Sequence, residues 1–368
     1  MDDPSKLQPA ASESQAPIRV LVVDDSAFMR FTISKYLGQS TDIQVAGTAR
    51  DGKEALELIP RLQPDVITLD VEMPRMDGIT ALRQIMAEYP RPVIMLSSLT
   101  AEGAVETIQA LTIGAVDFVT KPANKANIAV VMDDVHTKIL RAVRARVRKT
   151  PQQEAPVQAL PLSPVSPALK SKRSLTSRDR VVVIGSSTGG PRALNTVLRG
   201  LSGKLSAAVL VVQHMPVGFT RSLAERLDSV AELAVKEAEA GDRLEVGQVL
   251  VAPGGYHMTV TENNQIALNQ NPPIHGVRPA IDVTLSSVAQ HYGKAAMSVI
   301  LTGMGSDGTN GSALIHSAGG WVVAEDESTC VVWGMPRSVT EAGVADEIVA
   351  LPNVAASIEW AVKAYSTR

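Results

Sequence analysis

Apolar and polar positions alternate along this chain in two long stretches, which a proline-rich segment separates. In the first stretch, residues 18–119, apolar runs such as IRVLVV, DVITLD and PVIML are followed by segments with helical periodicity, such as AFMRFTISKYL. Five such repeats predict a parallel five-stranded sheet with helices on both faces. A long helix starting at about Asn124 is expected after the last of these strands.

The second stretch begins at Val181 and continues toward the C-terminus, with the apolar runs VVVIG, AAVLVV, QVLVA, AMSVIL, WVVAE and EIVAL. Helix-like segments lie between most of these runs, so a second, doubly wound α/β domain is expected. The segment HMTVTENNQIALN is different, because alternating residues flank a polar Glu-Asn-Asn turn. This pattern predicts a β-hairpin.

A segment rich in Pro, Gln, Ala and Ser joins the two domains and supports neither helical nor strand periodicity. The predicted organisation is a disordered tail at residues 1–17, a first domain at 18–141, a linker at 142–178 and a second domain at 179–368. The end of the long helix is basic. Its cations either form a solvated helix end, where they suit the helix dipole, or contact the second domain; they are Arg141, Arg144, Arg146, Arg148 and Lys149.

Charge balance and cysteine content narrow the classes of function. With 35 basic and 38 acidic residues, a net charge of -3 and 3% aromatic residues, the chain lacks the positive field and the stacking surfaces of a nucleic-acid binder. The single cysteine, Cys330, cannot close an intrachain disulfide, and the polar first residues do not form a secretion signal. No apolar stretch approaches the ~20 residues that span a bilayer. A cytoplasmic protein without direct membrane insertion is expected.

Three acidic residues of the first domain lie at the ends of predicted parallel strands. Asp24 and Asp25 follow the first strand, and Asp70 ends the third. Ligands bind at this edge of an open α/β sheet, and clustered carboxylates suit Mg²⁺. Ser97 and Lys121 follow two further strands, where a hydroxyl and an ammonium could hold phosphoryl oxygens. Taken singly, each acid could instead be a helix N-cap, and Lys121 a surface lysine.

As a set, the pair Asp24-Asp25, the segment DVEMPRMDG at residues 70–78, Ser97 and the pair Lys121-Pro122 resemble the receiver domain of response regulators over residues 18–141. The resemblance implies a flavodoxin-like fold.

It also implies roles for individual residues. Asp70 would accept phosphate from a histidine kinase, and Mg²⁺ would be held by Asp24, Asp25, Asp70 and the backbone carbonyl of Glu72. Ser97 and Lys121 would form the switch pair, and Phe118 occupies the aromatic switch position.

In the second domain, the sequence GSSTGG at residues 185–190 lies between a predicted strand and a helix. Unpaired N–H groups at such a turn form a cradle for a phosphate or an oxyanion. A dinucleotide loop is disfavoured because Ser187 replaces the second glycine of the G-x-G-x-x-G order. A turn that exposes Ser187 as a nucleophile is favoured, with a phosphate loop and a plain turn as the alternatives.

A nucleophilic serine needs a base and an orienting acid. His214 follows a strand that ends on the same sheet edge as Ser187, and His257 is its competitor. Asp307, in the glycine-rich turn TGMGSDG, is favoured as the acid, with two alternatives. The remaining histidines are expected on surfaces or in packing. The alternative acids are Asp282 and Asp326, and the remaining histidines are His136, His275, His291 and His316.

The motifs GSSTGG, VQHMP, APGGYH, LTGMGSDG and WGMP together resemble the catalytic domain of the chemotaxis protein-glutamate methylesterases, the CheB family, over about residues 179–364. The resemblance implies a triad of Ser187, His214 and Asp307, no cofactor in this domain, and a glutamine deamidase side activity. For the oxyanion, the candidate donors are the backbone N–H groups of Thr188 and Met304.

The leading hypothesis is a phosphorylation-activated esterase that acts on methylated glutamates of chemoreceptor cytoplasmic helices. In this hypothesis the unphosphorylated receiver covers the catalytic cleft. The alternative is an adaptor of a chemosensory array, controlled by the receiver, that binds a partner without catalysis. A transcription factor is disfavoured because no basic recognition helix follows the linker.

Overall fold

The computed structural model describes residues 16–98, 100–122, 127–147 and 172–366. Most of the predicted tail and most of the predicted linker lie outside these residues. The first domain alternates strands and helices along the chain: β1 Ile18–Val23, α1 Ala27–Leu37, β2 Ile43–Ala49, α2 Gly52–Leu62, β3 Val66–Asp70, α3 Gly78–Glu88, β4 Val93–Ser97, α4 Ala101–Ile113, β5 Asp117–Thr120 and α5 Ile128–Ala142.

The five strands of the first domain form one parallel sheet, as predicted, and their order is β2-β1-β3-β4-β5. The apolar runs of β1, β3 and β4 are buried because helices cover both faces of the sheet. Polar side chains begin several of the helices, each accepting a hydrogen bond from a backbone N–H in the first turn. These N-caps are Ser26, Asp51, Asp77 and Thr100. The expected start of the last helix, Asn124, lies outside the described residues.

The second domain has more strands than helices. Its elements are β6 Arg173–Ser174, β7 Arg180–Ser186, α6 Gly190–Gly200, β8 Ala207–Gln213, α7 Phe219–Asp228, β9 Ala234–Glu237, β10 Glu245–Val246, β11 Gln248–Val251, β12 His257–Val260, β13 Ile266–Asn269, α8 Ile281–Tyr292, β14 Ala296–Ile300, α9 Thr309–Ser317, β15 Trp321–Glu325, α10 Met335–Glu341, β16 Glu347–Val349 and α11 Leu351–Ser366.

Seven strands of this domain form a parallel sheet in the order β16-β15-β14-β7-β8-β11-β9. Strands β12 and β13 pair antiparallel, which confirms the predicted hairpin. The sequence did not predict β9, a short edge strand whose Lys and Glu residues interrupt the apolar pattern. Adjacent strands β7 and β8 end side by side, so the loops that follow them lie together at the carboxyl edge of the sheet.

The two domains pack against each other through helix α4 of the first domain, which contacts α6 and α7. At this contact the Phe118 ring lies 4.5 Å from the Phe219 ring, measured between centroids. Arg146, just beyond α5, pairs with Glu327 at 2.6 Å and donates its backbone N–H to the Val331 carbonyl. Of the two interpretations of the basic helix end, Arg146 therefore fits contact with the second domain. No helix in the described ranges is both long and apolar enough to cross a membrane.

Gly78 shows how tightly the end of strand β3 is packed. A Cβ built at this position would lie 2.0 Å from the backbone oxygen of Asp70, and the Gly78 N–H donates to the Val71 carbonyl. Any larger residue must displace the end of β3, which carries Asp70.

We predict that Gly78→Ala lowers the free energy of unfolding of the first domain by about 2–3 kcal/mol, because the new methyl group overlaps backbone atoms. The measurement is urea unfolding of the full chain. Gly38→Ala is the control, since Gly38 has a helical φ of -67° and its nearest contact would be 3.1 Å. Equal unfolding midpoints for the two variants would contradict the prediction.

Candidate phosphoacceptor and hydrolytic sites

The acidic pocket of the receiver lies at the carboxyl ends of β1, β3 and β5. Lys121 extends into it, and its Nζ lies 2.6 Å from Asp70 Oδ2 and 3.3 Å from Asp24 Oδ2. Both carboxylates are buried, with 2% and 0% of their surface exposed. The structure thus brings together three residues that are far apart in the sequence.

Burial is the main influence on protonation in this pocket. It raises the pKa of Asp70 to about 6, although the Lys121 ammonium acts in the opposite direction and the Asp24 carboxylate adds to the rise. Burial also raises the pKa of Asp24 above its usual 3.8, against the effect of Lys121. Burial by itself would lower the pKa of Lys121, but Asp70 and Asp24 outweigh it and raise that pKa. The pocket therefore favours a cation among its carboxylates.

The chemistry of the pocket fits a divalent cation. Carboxylate oxygens of Asp24, Asp25 and Asp70 lie within 4.8 Å of one another. The Oδ2 atoms of Asp24 and Asp70 are buried and accept no hydrogen bond from the described residues, apart from their ion pairs with Lys121. Glu72 lies beside this cluster and donates its N–H to Asp70 Oδ1 at 3.4 Å.

Two of the proposed switch residues, Ser97 and Phe118, contact elements that take part in the domain contact. The Ser97 hydroxyl faces α4, where it donates to the Gly103 carbonyl at 3.1 Å and accepts from Thr107 Oγ1 at 2.6 Å. Phe118 is 4% exposed and packs on Phe219. Ser97 thus contacts the same helix that packs on α6 and α7.

In the second domain, Ser187 lies in the tight turn that joins β7 to α6. The Gly190 N–H donates to the Ser187 carbonyl at 2.7 Å, and Gly189 has a φ of +79°, a conformation that favours glycine. The Ser187 N–H donates to the Thr302 carbonyl at 3.0 Å. A Cβ at Gly303 would lie 2.8 Å from Ser187 Cβ, so the glycine-rich turn lies directly against the serine.

His214 and Asp307 are in direct contact, with 2.7 Å between His214 Nε2 and Asp307 Oδ2. Asp307 also accepts the backbone N–H groups of Ile281, Asp282 and Gly308 at 2.7, 3.0 and 2.9 Å. Burial would raise the pKa of Asp307, but the hydrogen bond with His214 and those from the backbone outweigh it and lower that pKa. Asp307 is therefore held as a carboxylate facing the imidazole.

Ser187 Oγ forms no hydrogen bond with His214 or with any other residue in the described ranges. The backbone nevertheless joins their loops, since the His214 N–H donates to the Ser186 carbonyl at 3.1 Å. Catalytic hydrogen bonds are often long before substrate binds, so this geometry is compatible with a nucleophile and its base.

The competing histidine and acids have other contacts. His257 is 1% exposed, its Nδ1 accepts the Ala280 N–H, and its Nε2 lies 3.2 Å from the Pro272 carbonyl, so both ring nitrogens hold backbone. Asp282 accepts the Gly311 N–H and lies 3.6 Å from His275, while Asp326 accepts the Ser328 N–H. Of the three candidate acids, the structure brings Asp307 to His214.

The two candidate oxyanion donors belong to the residue that follows Ser187 and to the residue that follows Gly303. Within the part of the chain that the structure describes, the backbone N–H groups of Thr188 and Met304 donate to no acceptor. Met304 is 37% exposed and follows Gly303, the residue that packs on Ser187. Two free donors beside a serine hydroxyl are what a tetrahedral oxyanion requires.

The structure adds two residues that the sequence analysis did not single out, Asp117 and Gln213. Thr188 Oγ1 donates to Asp117 Oδ2 of the receiver at 3.2 Å, which joins the nucleophile turn to the strand that carries Phe118. Gln213, which ends β8, contacts both the Ser187 and His214 carbonyls. A polar residue that ends the buried run AAVLVVQ next to a candidate base was the available signal for Gln213.

Comparison with known proteins gives a consistent result. The chain matches the family described as CheB methylesterase over residues 182–358 and the response regulator receiver domain over residues 20–133. It is 52% identical over 358 residues to a protein-glutamate methylesterase/protein-glutamine glutaminase of Symbiobacterium thermophilum, covering 95% of this chain and 98% of the relative. A protein of the same name from Pyrococcus abyssi is 45% identical, covering 94% of both chains. A crystal structure of the Thermotoga maritima CheB methylesterase catalytic domain has 46% identity and a TM-score of 0.48, covering 50% of this chain and 98% of that one.

The fold and these matches define a response regulator in which a receiver domain precedes an α/β domain of the methylesterase type. Within that class, the chain belongs to the CheB methylesterase family, because its relatives align over nearly its whole length. The family resemblance drawn from the sequence motifs is confirmed.

We predict that Asp70→Asn stabilises the metal-free protein at pH 8 and that this advantage disappears as the pH falls from about 6 to 4. The folded pKa of Asp70, about 6, lies above the unfolded value near 3.9. The neutral carboxyl therefore favours folding at low pH, and this contribution is lost as the pH rises through 6. Urea unfolding with a chelator across this range is the measurement. A stability difference that does not vary with pH would contradict the prediction.

Proposed function

We propose that this chain is a phosphorylation-activated serine esterase that hydrolyses glutamate 5-O-methyl esters on chemoreceptors, with glutamine deamidation as a second activity. The observation that carries this proposal is the 2.7 Å contact between His214 Nε2 and Asp307 Oδ2, beside the turn that holds Ser187. The relatives' name, protein-glutamate methylesterase/protein-glutamine glutaminase, supports the same substrates.

In the acylation step, Ser187 Oγ attacks the γ-carbonyl carbon of the ester while His214 removes the hydroxyl proton. Because Nε2 faces Asp307, Nδ1 is the ring nitrogen that accepts this proton. Asp307 fixes the tautomer and stabilises the imidazolium. The imidazolium then gives the proton to the departing methoxide, which leaves as methanol.

The tetrahedral intermediate carries a negative oxygen, which the N–H groups of Thr188 and Met304 stabilise. One such donor contributes a factor of about 10²–10³ to the rate in other hydrolases. A water molecule, activated by His214, then hydrolyses the acyl-enzyme and releases the glutamate carboxylate and Ser187. A glutamine amide presents the same acyl carbon, with ammonia as the leaving group, so the same steps produce deamidation.

In the receiver, Asp70 accepts the phosphoryl group of a histidine kinase. Mg²⁺ would be held by Asp24, Asp25, Asp70 and the Glu72 backbone carbonyl, and its charge would neutralise the phosphoryl oxygens. Lys121, which now pairs with Asp70, is positioned to hold one of these oxygens.

The Ser97 hydroxyl would complete the switch by turning from Gly103 and Thr107 toward the phosphoryl group. These contacts anchor α4, which packs on the catalytic helices. Phosphorylation would therefore change the stability of the domain contact and shift the population toward an open active site.

The contact between the domains supports a resting state in which the receiver restrains the catalytic domain. Asp117 accepts a hydrogen bond from Thr188, the residue with a candidate oxyanion donor. Phe118 packs on Phe219, the first residue of the helix that follows the His214 loop. Both contacts involve β5 of the receiver, the strand next to the one that ends in Ser97.

The partners in this proposal are a chemotaxis histidine kinase, as phosphodonor, and the cytoplasmic helices of methyl-accepting chemoreceptors, as substrate. No nucleic acid and no membrane insertion are required, and the reaction would take place in the cytoplasm. The alternative of a non-enzymatic adaptor is not favoured, since the relatives carry the names of enzymes.

We predict that Ser187→Ala reduces release of methanol from methylated receptors by about 10⁶-fold and that Asp307→Asn reduces it by about 10⁴-fold. The first variant lacks the nucleophile, and the second loses control of the His214 tautomer. A serine-hydrolase probe should label the wild type and not Ser187→Ala. Ser317→Ala, at an exposed position at the end of α9, is the control and should retain activity. Methanol release by Ser187→Ala at the wild-type rate would refute the assignment.

We predict that acetyl phosphate with Mg²⁺ increases hydrolysis by the wild-type chain several-fold and leaves Asp70→Asn at its unstimulated rate, because the amide cannot accept a phosphoryl group. Asp42→Asn is the matched control, since Asp42 is exposed and lies at the opposite end of the strands. Equal stimulation of Asp70→Asn and the wild type would remove the receiver pocket from the mechanism.

A further inference from the structure

Gln213 is a buried amide that connects the two loops of the hydrolytic site. It is 2% exposed and is the last residue of β8, opposite Ser186 on β7. Its Nε2 donates to the Ser187 carbonyl at 2.9 Å and to the His214 carbonyl at 3.1 Å. Its Oε1 accepts the Ser186 hydroxyl at 2.6 Å. The Gln213 amide thus contacts Ser186 and Ser187 on one loop and its own neighbour His214 on the other.

The chemistry of these partners determines which way the amide faces. Carbonyl oxygens only accept hydrogen bonds, so the two carbonyls of Ser187 and His214 require the NH₂ group and not Oε1. The Ser186 hydroxyl can then donate to Oε1. Gln213 therefore uses both of its N–H donors on the backbone of the nucleophile and of the base.

The contact with the Ser187 carbonyl also orients the next N–H group. In a trans peptide the C=O of one residue and the N–H of the following residue point in opposite directions. The Ser187-Thr188 peptide is trans, and its carbonyl is held by Gln213 Nε2 and by the Gly190 N–H. Its N–H, the candidate oxyanion donor, is thereby turned away from Gln213 and left without a described acceptor.

The packing around the amide leaves it little freedom. A Cβ at Gly190 would lie 1.9 Å from Gln213 Oε1 and 2.9 Å from Ser186 Oγ, so the first residue of α6 approaches the amide with no side chain between them. A rotation of the Gln213 side chain would lose several hydrogen bonds at a buried position.

We propose that Gln213 is a positioning residue of the hydrolytic reaction: its amide holds the Ser187 and His214 carbonyls so that the Thr188 N–H faces the developing oxyanion. This inference rests on the proposed esterase function and on Thr188 as an oxyanion donor. Gln213 contacts neither the substrate nor a reacting atom in this role. It acts through the peptide unit that it holds.

The test compares the full-length wild type with Gln213→Met, which keeps the length of the side chain and removes both donors. Gln213→Leu is a second variant that also lacks the donors, and it replaces the methionine variant if that protein fails to fold. Ser186→Ala keeps the amide and removes only the hydroxyl that holds Oε1. Each chain is activated with acetyl phosphate and assayed on methylated receptor and on p-nitrophenyl acetate, with thermal unfolding to verify folding.

For Gln213→Met we expect kcat to fall by about 10- to 100-fold with KM within about twofold of the wild type, because a misdirected donor affects the transition state and not the bound ester. Affinity for a trifluoromethyl ketone, whose adduct carries the oxyanion, should fall by the same factor as kcat/KM. The midpoint of the pH profile should stay unchanged, since the contact between His214 and Asp307 is retained. For Ser186→Ala we expect kcat to fall by less than tenfold.

A folded Gln213→Met or Gln213→Leu protein with the kcat of the wild type would overturn the proposal. A loss of activity that appears in KM alone, or that leaves the ketone affinity unchanged, would also overturn it and indicate a structural role. These outcomes differ from a failure of the proposed function, in which the wild type itself would hydrolyse neither ester.

Discussion

The hydrolytic half of this molecule is organised around the buried carboxylate of Asp307. Four N–H groups converge on it: Nε2 of His214 and the backbone donors of Ile281, Asp282 and Gly308. The first two backbone donors belong to the first turn of α8, where the helix dipole favours negative charge. A carboxylate with this many donors remains ionised in spite of its burial, as its lowered pKa indicates. The imidazole of His214 is thus held at a fixed place beside the turn that carries Ser187.

The receiver also buries carboxylates, but it stabilises them in a different way. Asp24 and Asp70 are buried, the Lys121 ammonium pairs with both carboxylates, and burial raises the pKa of both acids. Additional positive charge would stabilise these carboxylates, so the pocket suits a divalent cation, which can in turn neutralise a phosphoryl group. One domain stabilises its buried carboxylate with its own donors and places it against the His214 imidazole, and the other leaves its carboxylates available for a ligand.

The contact between the two domains connects the receiver to the hydrolytic site. The hydrogen bond from Thr188 to Asp117 and the packing of Phe118 on Phe219 connect β5 of the receiver to the loops that follow β7 and β8. The surface ion pair between Arg146 and Glu327 lies at the same contact but contributes little by itself, because both side chains are about half exposed. Apolar packing and the contact with the nucleophile turn are the parts of this interface that can link its stability to catalysis.

The order of apolar runs was enough to predict both parallel sheets, and the hairpin followed from alternation around a polar turn, since these patterns depend on local periodicity and burial. The edge strand β9 was missed because charged residues interrupt its apolar pattern. Candidate residues could also be placed at the carboxyl edges, because polar residues directly follow buried strands.

The choice of His214 over His257, and of Asp307 over Asp282, could not be made from spacing alone. Both histidines come after apolar runs in the sequence. Only the folded chain uses both ring nitrogens of His257 on the backbone and places His214 against Asp307. The role of Gln213 and the bond between Thr188 and Asp117 likewise depend on contacts between segments distant in the chain, for which no local pattern exists.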